Sequence, residues 1–174
     1  MPCKLRFRIV ATAAASIWCL AASAQEKRFG AWTVGVMAGN EGVFAATIND
    51  SKGILGQYCY REEASCIWIL SNEVGCEDGS QYPVLVNSDS GAVSTTIMCA
   101  KLHGKPRYAF AEFDVIDNIV RHSEWLGIAF PMKSGFFQVS RFPLNGAGAA
   151  VTFMRKVGDS MVQPAKTGTL DQKL

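Results

Sequence analysis

Short apolar runs separated by polar turn residues make up most of this chain. Several runs alternate, and Trp32, Val34 and Val36 share one face of their run, as in a half-buried strand. Nine strands are predicted, at Ala31–Ala38, Val43–Asn49, Ile54–Tyr60, Ser65–Leu70, Tyr82–Asn87, Ala92–Cys99, Arg107–Phe113, Trp125–Phe130 and Gly135–Phe142. We therefore expect a mainly β fold, an antiparallel two-sheet sandwich-like domain.

Two segments follow a helical period instead. Asp114–Glu124 repeats its apolar residues with that period, and Asp114 is the predicted N-cap. Asn145–Val157 is rich in small residues and ends with two cations before Gly158, a common helix stop. We expect two short helices in one β-rich domain over residues 25–158, followed by a polar, disordered tail over 159–174.

The first 24 residues are typical of a secretory signal peptide. Three cations precede the uncharged run Ile9–Ala22, and Ala22-Ser23-Ala24 supplies a small-residue cleavage site before Gln25. The apolar run is shorter than the roughly 20 residues of a membrane span. We therefore expect cleavage near Ala24–Gln25, a periplasmic or secreted protein, and no transmembrane segment in the mature chain.

Cleavage would change the charge of the chain. Lys4, Arg6 and Arg8 leave with the signal peptide, so the formal net charge falls from +2 to −1. A mature chain without excess positive charge has no general electrostatic attraction to nucleic acid or to an anionic membrane. Nucleic acid is therefore not among the expected partners.

Four cysteines remain after cleavage, and an oxidising compartment favours two disulfides: Cys59, Cys66, Cys76 and Cys99. If Glu62-Glu63 is the tip of a hairpin, Cys59 lies opposite Cys66 at a separation that suits a disulfide. Cys76 is then left to pair with Cys99, although four cysteines allow three pairings. A metal site or a redox thiol is the alternative, but no C-x-x-C spacing supports it.

Motifs that would indicate catalysis, a metal or a cofactor are missing from the sequence. The two histidines, His103 and His122, have neither H-x-H nor H-x-x-x-H spacing. No G-x-S-x-G elbow indicates a nucleophilic serine, and Gly146-Ala147-Gly148 lacks the rest of a dinucleotide fingerprint. We therefore expect no catalytic residues, no metal and no cofactor.

Apolar side chains gather around the last predicted strands. Four of them are candidates for a partner-binding surface: Phe130, Met132, Phe136 and Phe137. They cannot all point inward, because consecutive strand residues face opposite sides. If one face is exposed, they form an apolar patch of the kind that marks a partner site. A sandwich that buries both faces is the alternative.

Both ends of the predicted domain resemble a known bacterial family. Phe29-Gly30-Ala31-Trp32-Thr33-Val34 resembles the opening of the invasion-associated locus B family. Phe142–Ala150 is similar to its closing pattern of an apolar strand, L-x-G and a small-residue helix. The chain departs from the family at Val34–Met37, where a cysteine is common. The resemblance implies an exported, non-enzymatic β protein, linked in some pathogens to contact with host cells, and brings no catalytic residues.

Together these features favour an exported, non-catalytic binding module that acts on another protein, an envelope component or a host surface. The alternative is an exported enzyme or enzyme inhibitor, with Asp114, Asp117 or Glu124 near His122 as a diffuse site. The two hypotheses differ in whether those groups converge in a concave pocket.

The exported protein should have a mass that begins at Gln25 and should resist alkylation when denatured without reductant, because all four remaining cysteines are oxidised. Intact-mass spectrometry of the alkylated protein checks both points. Two or four alkylated cysteines would contradict the disulfides, and an unprocessed N-terminus would contradict the signal peptide.

Overall fold

The computed structural model describes residues 26–63, 65–72, 75–102, 104–131 and 135–162. The strands are β1 (Lys27–Phe29), β2 (Trp32–Val36), β3 (Gly42–Ile48), β4 (Ile54–Tyr60), β5 (Ser65–Ser71), β6 (Gln81–Ser88), β7 (Gly91–Leu102), β8 (Lys105–Phe110), β9 (Trp125–Pro131) and β10 (Phe137–Pro143). The helices are α1 (Phe113–His122) and α2 (Ala147–Val162), and a single 3₁₀ turn spans Ala38–Asn40. The predicted signal peptide, His103, Met132 and segment 163–174 lie outside the described residues.

The ten strands form one antiparallel sheet in the order β1-β2-β3-β4-β5-β8-β7-β6-β9-β10. The prediction of a mainly β, antiparallel domain with two helices and two disulfides is confirmed. Instead of two separate sheets, however, hydrogen-bonded neighbours run through the whole order. All nine predicted strands are present, and β4 has the predicted bounds. The additional strand, β1, is too short at three residues to show an alternating pattern.

One face of the sheet, the inner face, carries the core and packs against the helices. Trp32 and Val34 of β2 point into it and are buried, as the alternation predicts. The rings of Trp32 and Trp68 meet edge to face with centroids 6.2 Å apart. The helices add Ile116 and Val120 of α1 and a stripe of α2: Ala147, Ala150, Val151 and Met154. Neither α1 nor α2, the α-helices of the described ranges, is long and apolar enough to cross a membrane.

Two glycine turns bring the first and last strands together. Gly30, between β1 and β2, has φ +57°, and Gly146, between β10 and α2, has φ +87°. A Cβ on Gly30 would lie 2.5 Å from the Asn145 carbonyl oxygen, and one on Gly146 would lie 2.1 Å from the Phe29 carbonyl oxygen. Only glycine therefore fits either turn.

Hydrogen bonds stabilise the contact between these two turns. The Ala31 N–H donates to the Asn145 carbonyl at 3.1 Å. The Trp32 indole Nε1–H donates to the Pro143 carbonyl, also at 3.1 Å. The sheet therefore curls until its opposite ends are in contact.

Both helices differ in their bounds from the sequence prediction. The residue before α1 is Glu112 rather than Asp114, which lies in the first turn. The Glu112 carboxylate accepts hydrogen bonds from the Thr95 hydroxyl and from the Thr96 N–H, and these bonds lower its pKa. They fix the start of α1 to β7.

Helix α2 continues past Gly158 to Val162, so residues 159–162 of the predicted tail are helical. A Cβ on Gly158 would lie 3.2 Å from a methyl group of Val43. This glycine lies in the helix interior where α2 approaches β3 closely, and it does not end the helix. The prediction that Gly158 stops α2 is wrong.

Both predicted disulfides are present. Cys59 and Cys66 are directly opposed in the register of β4 and β5, and their sulfurs are bonded. Cys76, in the segment before β6, is bonded to Cys99 of β7. The first bond closes a local hairpin, whereas the second fastens the β5–β6 connection to the sheet.

A polar network joins the sheet to both helices. Gln57 of β4 is fully buried on the inner face, and its side-chain amide donates to Asp117 Oδ1 of α1 at 3.2 Å. Arg155 of α2 donates from Nε to Gln57 Oε1 at 2.9 Å and pairs through Nη2 with Asp117. Arg121 lies on the other carboxylate oxygen of Asp117, at 3.7 Å. The buried amide of Gln57 thus has a partner for both its nitrogen and its oxygen.

Replacing Asp117 by Ala should destabilise the fold by about 2–3 kcal/mol, because Gln57 and Arg155 would lose their charged acceptor in a largely buried site. Denaturant unfolding measures the change. Asp114→Ala is the matched control, since Asp114 is exposed on the same helix and should change stability by no more than about 0.5 kcal/mol. Equal effects of the two substitutions would show that the network contributes nothing.

Candidate binding surfaces

An apolar surface lies exposed at the last edge of the sheet. Phe136 is 76% exposed, Phe137 is 69% exposed and Val139 is 58% exposed. Register places Val139 of β10 beside Ala129 of β9, which lies beside Leu85 of β6. We call Phe136, Phe137, Val139 and Leu85 the edge patch. Because β10 is the last strand in the sheet order, the patch also borders a strand edge.

Two of the four predicted partner-binding residues belong to the edge patch, and one does not. Phe130 is buried and packs against Tyr108 with ring centroids 5.5 Å apart, so its assignment to an exposed surface is wrong. Phe130 pairs with Gln138 in the register, one position away from Pro131, which faces the same side as Phe137. Because side chains alternate between the two faces of a strand, Phe130 points into the core and Phe137 points outward. Met132 lies outside the described residues.

The proposed carboxylate and histidine site does not assemble. Asp114, Glu124 and His122 are exposed, and Asp117 is held in the network with Gln57 and Arg155. His122 Nδ1 lies 2.8 Å from the Asn118 carbonyl oxygen, one helical turn back. Over the part of the chain that the structure describes, no three metal-ligating side chains come together. The hypothesis of a diffuse acid–histidine site therefore loses its geometric support.

A cavity that the sequence reading missed lies on the outer face of the sheet. It has a volume of about 280 Å³ and is walled by the rings of Phe44, Tyr58 and Tyr60. Phe44 and Tyr58 stack with centroids 5.9 Å apart. Ile69 is buried beneath them although it belongs to the outer face. We call this space the outer cavity. Its only signal in the sequence was one aromatic residue in each of two neighbouring strands, Phe44 in β3 and Tyr58 in β4.

The outer cavity changes the titration of its tyrosines. Burial raises the pKa of Tyr58 above its usual 10.0, and the nearby positive charge of Arg107 partly offsets that rise. Burial also raises the pKa of Tyr60, and the carboxylates of Glu63 and Glu41 raise it further. Arg107 in the cavity lining is therefore near Tyr58, whereas the carboxylates near Tyr60 belong to residues outside the lining.

The fold has a counterpart among solved structures. No family model matches the chain, and no curated protein matches it in sequence. The crystal structure of invasion associated protein B from Bartonella henselae superposes with a TM-score of 0.57 at 12% sequence identity, covering 78% of this chain and 99% of the other. The likeness is one of fold. It agrees with the resemblance of the two end motifs, which meet in space at the glycine turns.

Replacing Arg107 by Gln should raise the pKa of Tyr58 further, because the positive charge that favours the phenolate is removed. Since a raised pKa favours the protonated folded state, the stability from Tyr58 is complete below about 10 and is lost as pH rises through the folded pKa. Alkaline titration of ¹³C-labelled tyrosine by NMR measures the pKa.

Lys105→Gln is the control, since Lys105 is an exposed cation on the same strand. It should leave the pKa of Tyr58 unchanged. A Tyr58 pKa that does not respond to Arg107→Gln would show that the guanidinium does not act on the phenol.

Proposed function

We propose that this chain is an exported, non-catalytic binding module, periplasmic or secreted, that engages an envelope or host-surface protein through the edge patch. The exposure of Phe136 and Phe137 carries the proposal. Large rings left in water at a strand edge are costly for a soluble domain and are typical of interaction sites. Adjacent Val139 and Leu85 extend the same apolar surface.

Other features support the proposed compartment and the proposed class of protein. The two disulfides agree with an oxidising environment outside the cytoplasm. The structural neighbour is named for association with invasion, which fits a role in contact rather than in catalysis. We propose on this basis that the chain is related to the invasion-associated locus B family and is not an enzyme. Signal-peptide cleavage near Ala24–Gln25 remains part of the proposal.

Phe136→Ser or Phe137→Ser should abolish partner capture while the melting temperature stays nearly unchanged, because both rings are exposed. A photo-crosslinking benzophenone residue in place of Leu85 reports capture in the exporting cell and at host-cell surfaces. Covalent adducts of the patch should form and should disappear in either serine variant.

Phe130→Ala is the matched control for a core ring and should cost about 3–5 kcal/mol in unfolding free energy. A comparable loss in Phe136→Ser or Phe137→Ser would show that these rings are part of the core. Adducts of undiminished yield in both serine variants would show that the patch does not bind the partner.

A further inference from the structure

The outer cavity has no part in the proposed partner surface. It shares no residue with the edge patch and lies over strands near the middle of the sheet order. The residues that line it are mostly apolar, and Phe44, Ile54, Tyr58 and Ile69 form its main apolar wall. Its volume of about 280 Å³ is near the lower limit of small-molecule sites. A ligand for it must be small and predominantly apolar.

Charge within the cavity is one-sided. Among the lining residues that the structure describes, Arg107 is the single cation and there is no carboxylate. Its Nη1 donates to the Ser71 hydroxyl, also in the lining, and none of the described residues forms an ion pair with it. A guanidinium among aromatic and aliphatic side chains, without a carboxylate beside it, is a strong site for an anionic ligand group.

The other charged side chains near the cavity, those of Lys105, Glu41 and Glu63, lie outside its lining. Lys105, two residues earlier on β8, lies opposite the lining residue Leu102 in the register of β7 and β8. The carboxylates of Glu41 and Glu63 act instead on Tyr60. A ligand with one negative end would therefore place that end at Arg107 and Ser71 and its apolar body along the Phe44–Tyr58 stack.

We propose that the outer cavity binds a small organic acid, a monocarboxylate with an unbranched or flat apolar body. The carboxylate accepts hydrogen bonds from the Arg107 guanidinium and the Ser71 hydroxyl. The apolar body displaces water from Phe44, Tyr58, Ile54 and Ile69, and this burial supplies most of the affinity. No bond is made or broken, so the site is one of binding alone.

Isothermal titration calorimetry with octanoate tests the proposal on the full chain. Octanoate should bind saturably at one site, whereas octylammonium, with the same body and the opposite charge, should not. Arg107→Gln should weaken octanoate binding by about tenfold or more, because a charge-assisted hydrogen bond is lost. Lys105→Gln, which removes an exposed cation beside the cavity, should change the affinity much less.

A second variant covers a failure of Arg107→Gln to fold, which its melting curve would reveal. Ile54→Trp fills the cavity without altering its charge and should abolish octanoate binding. Absence of octanoate binding to the native chain, equal binding of octylammonium, or undiminished binding in Ile54→Trp would each overturn the proposal. Capture through the edge patch would be unaffected by any of these results, because the two surfaces share no residue.

Discussion

The contact between the two glycine turns is the constraint on which the remaining structure depends. Gly30 and Gly146 each hold a left-handed conformation, and each faces a carbonyl oxygen where a Cβ would stand. Their approach brings Trp32 under the Pro143 carbonyl and starts α2 directly over the inner face. The same two segments carry the resemblance to the invasion-associated locus B family. The likeness of fold to a solved structure is present at 12% identity.

Helix α2, once started there, determines what the inner face can contain. Its small residues allow a close approach to β2 and β3, and Arg155 then reaches Gln57 and Asp117. A buried glutamine in a strand would be costly without these partners. Apolar packing holds the helix on the sheet, and the polar network specifies its position, because each of the three groups satisfies the others.

Local patterns in the sequence account for much of the fold. Alternation located nine strands, and the symmetric placement of Cys59 and Cys66 about a turn identified a real cross-strand pair. Sequence order could not reveal that β8 lies between β5 and β7, because strand order depends on long-range packing. The same limit explains why Phe130 was wrongly assigned to an exposed surface. The alternation of side chains along its strand does not show which face of the sheet is covered. The same limit also explains the outer cavity, because Phe44 and Tyr58 have the alternation of core residues yet lie outside the core.

The closing contact also has a consequence for when the fold can form. Trp32 and Pro143 are separated by 111 positions, whereas Cys59 and Cys66 are separated by only seven. Loop-closure entropy makes the hairpin with its disulfide an early event and the union of the sheet ends a late one. The protein acceptor of the Trp32 indole, the Pro143 carbonyl, lies at the end of β10. The final structure therefore cannot be reached before the last strand has followed the first.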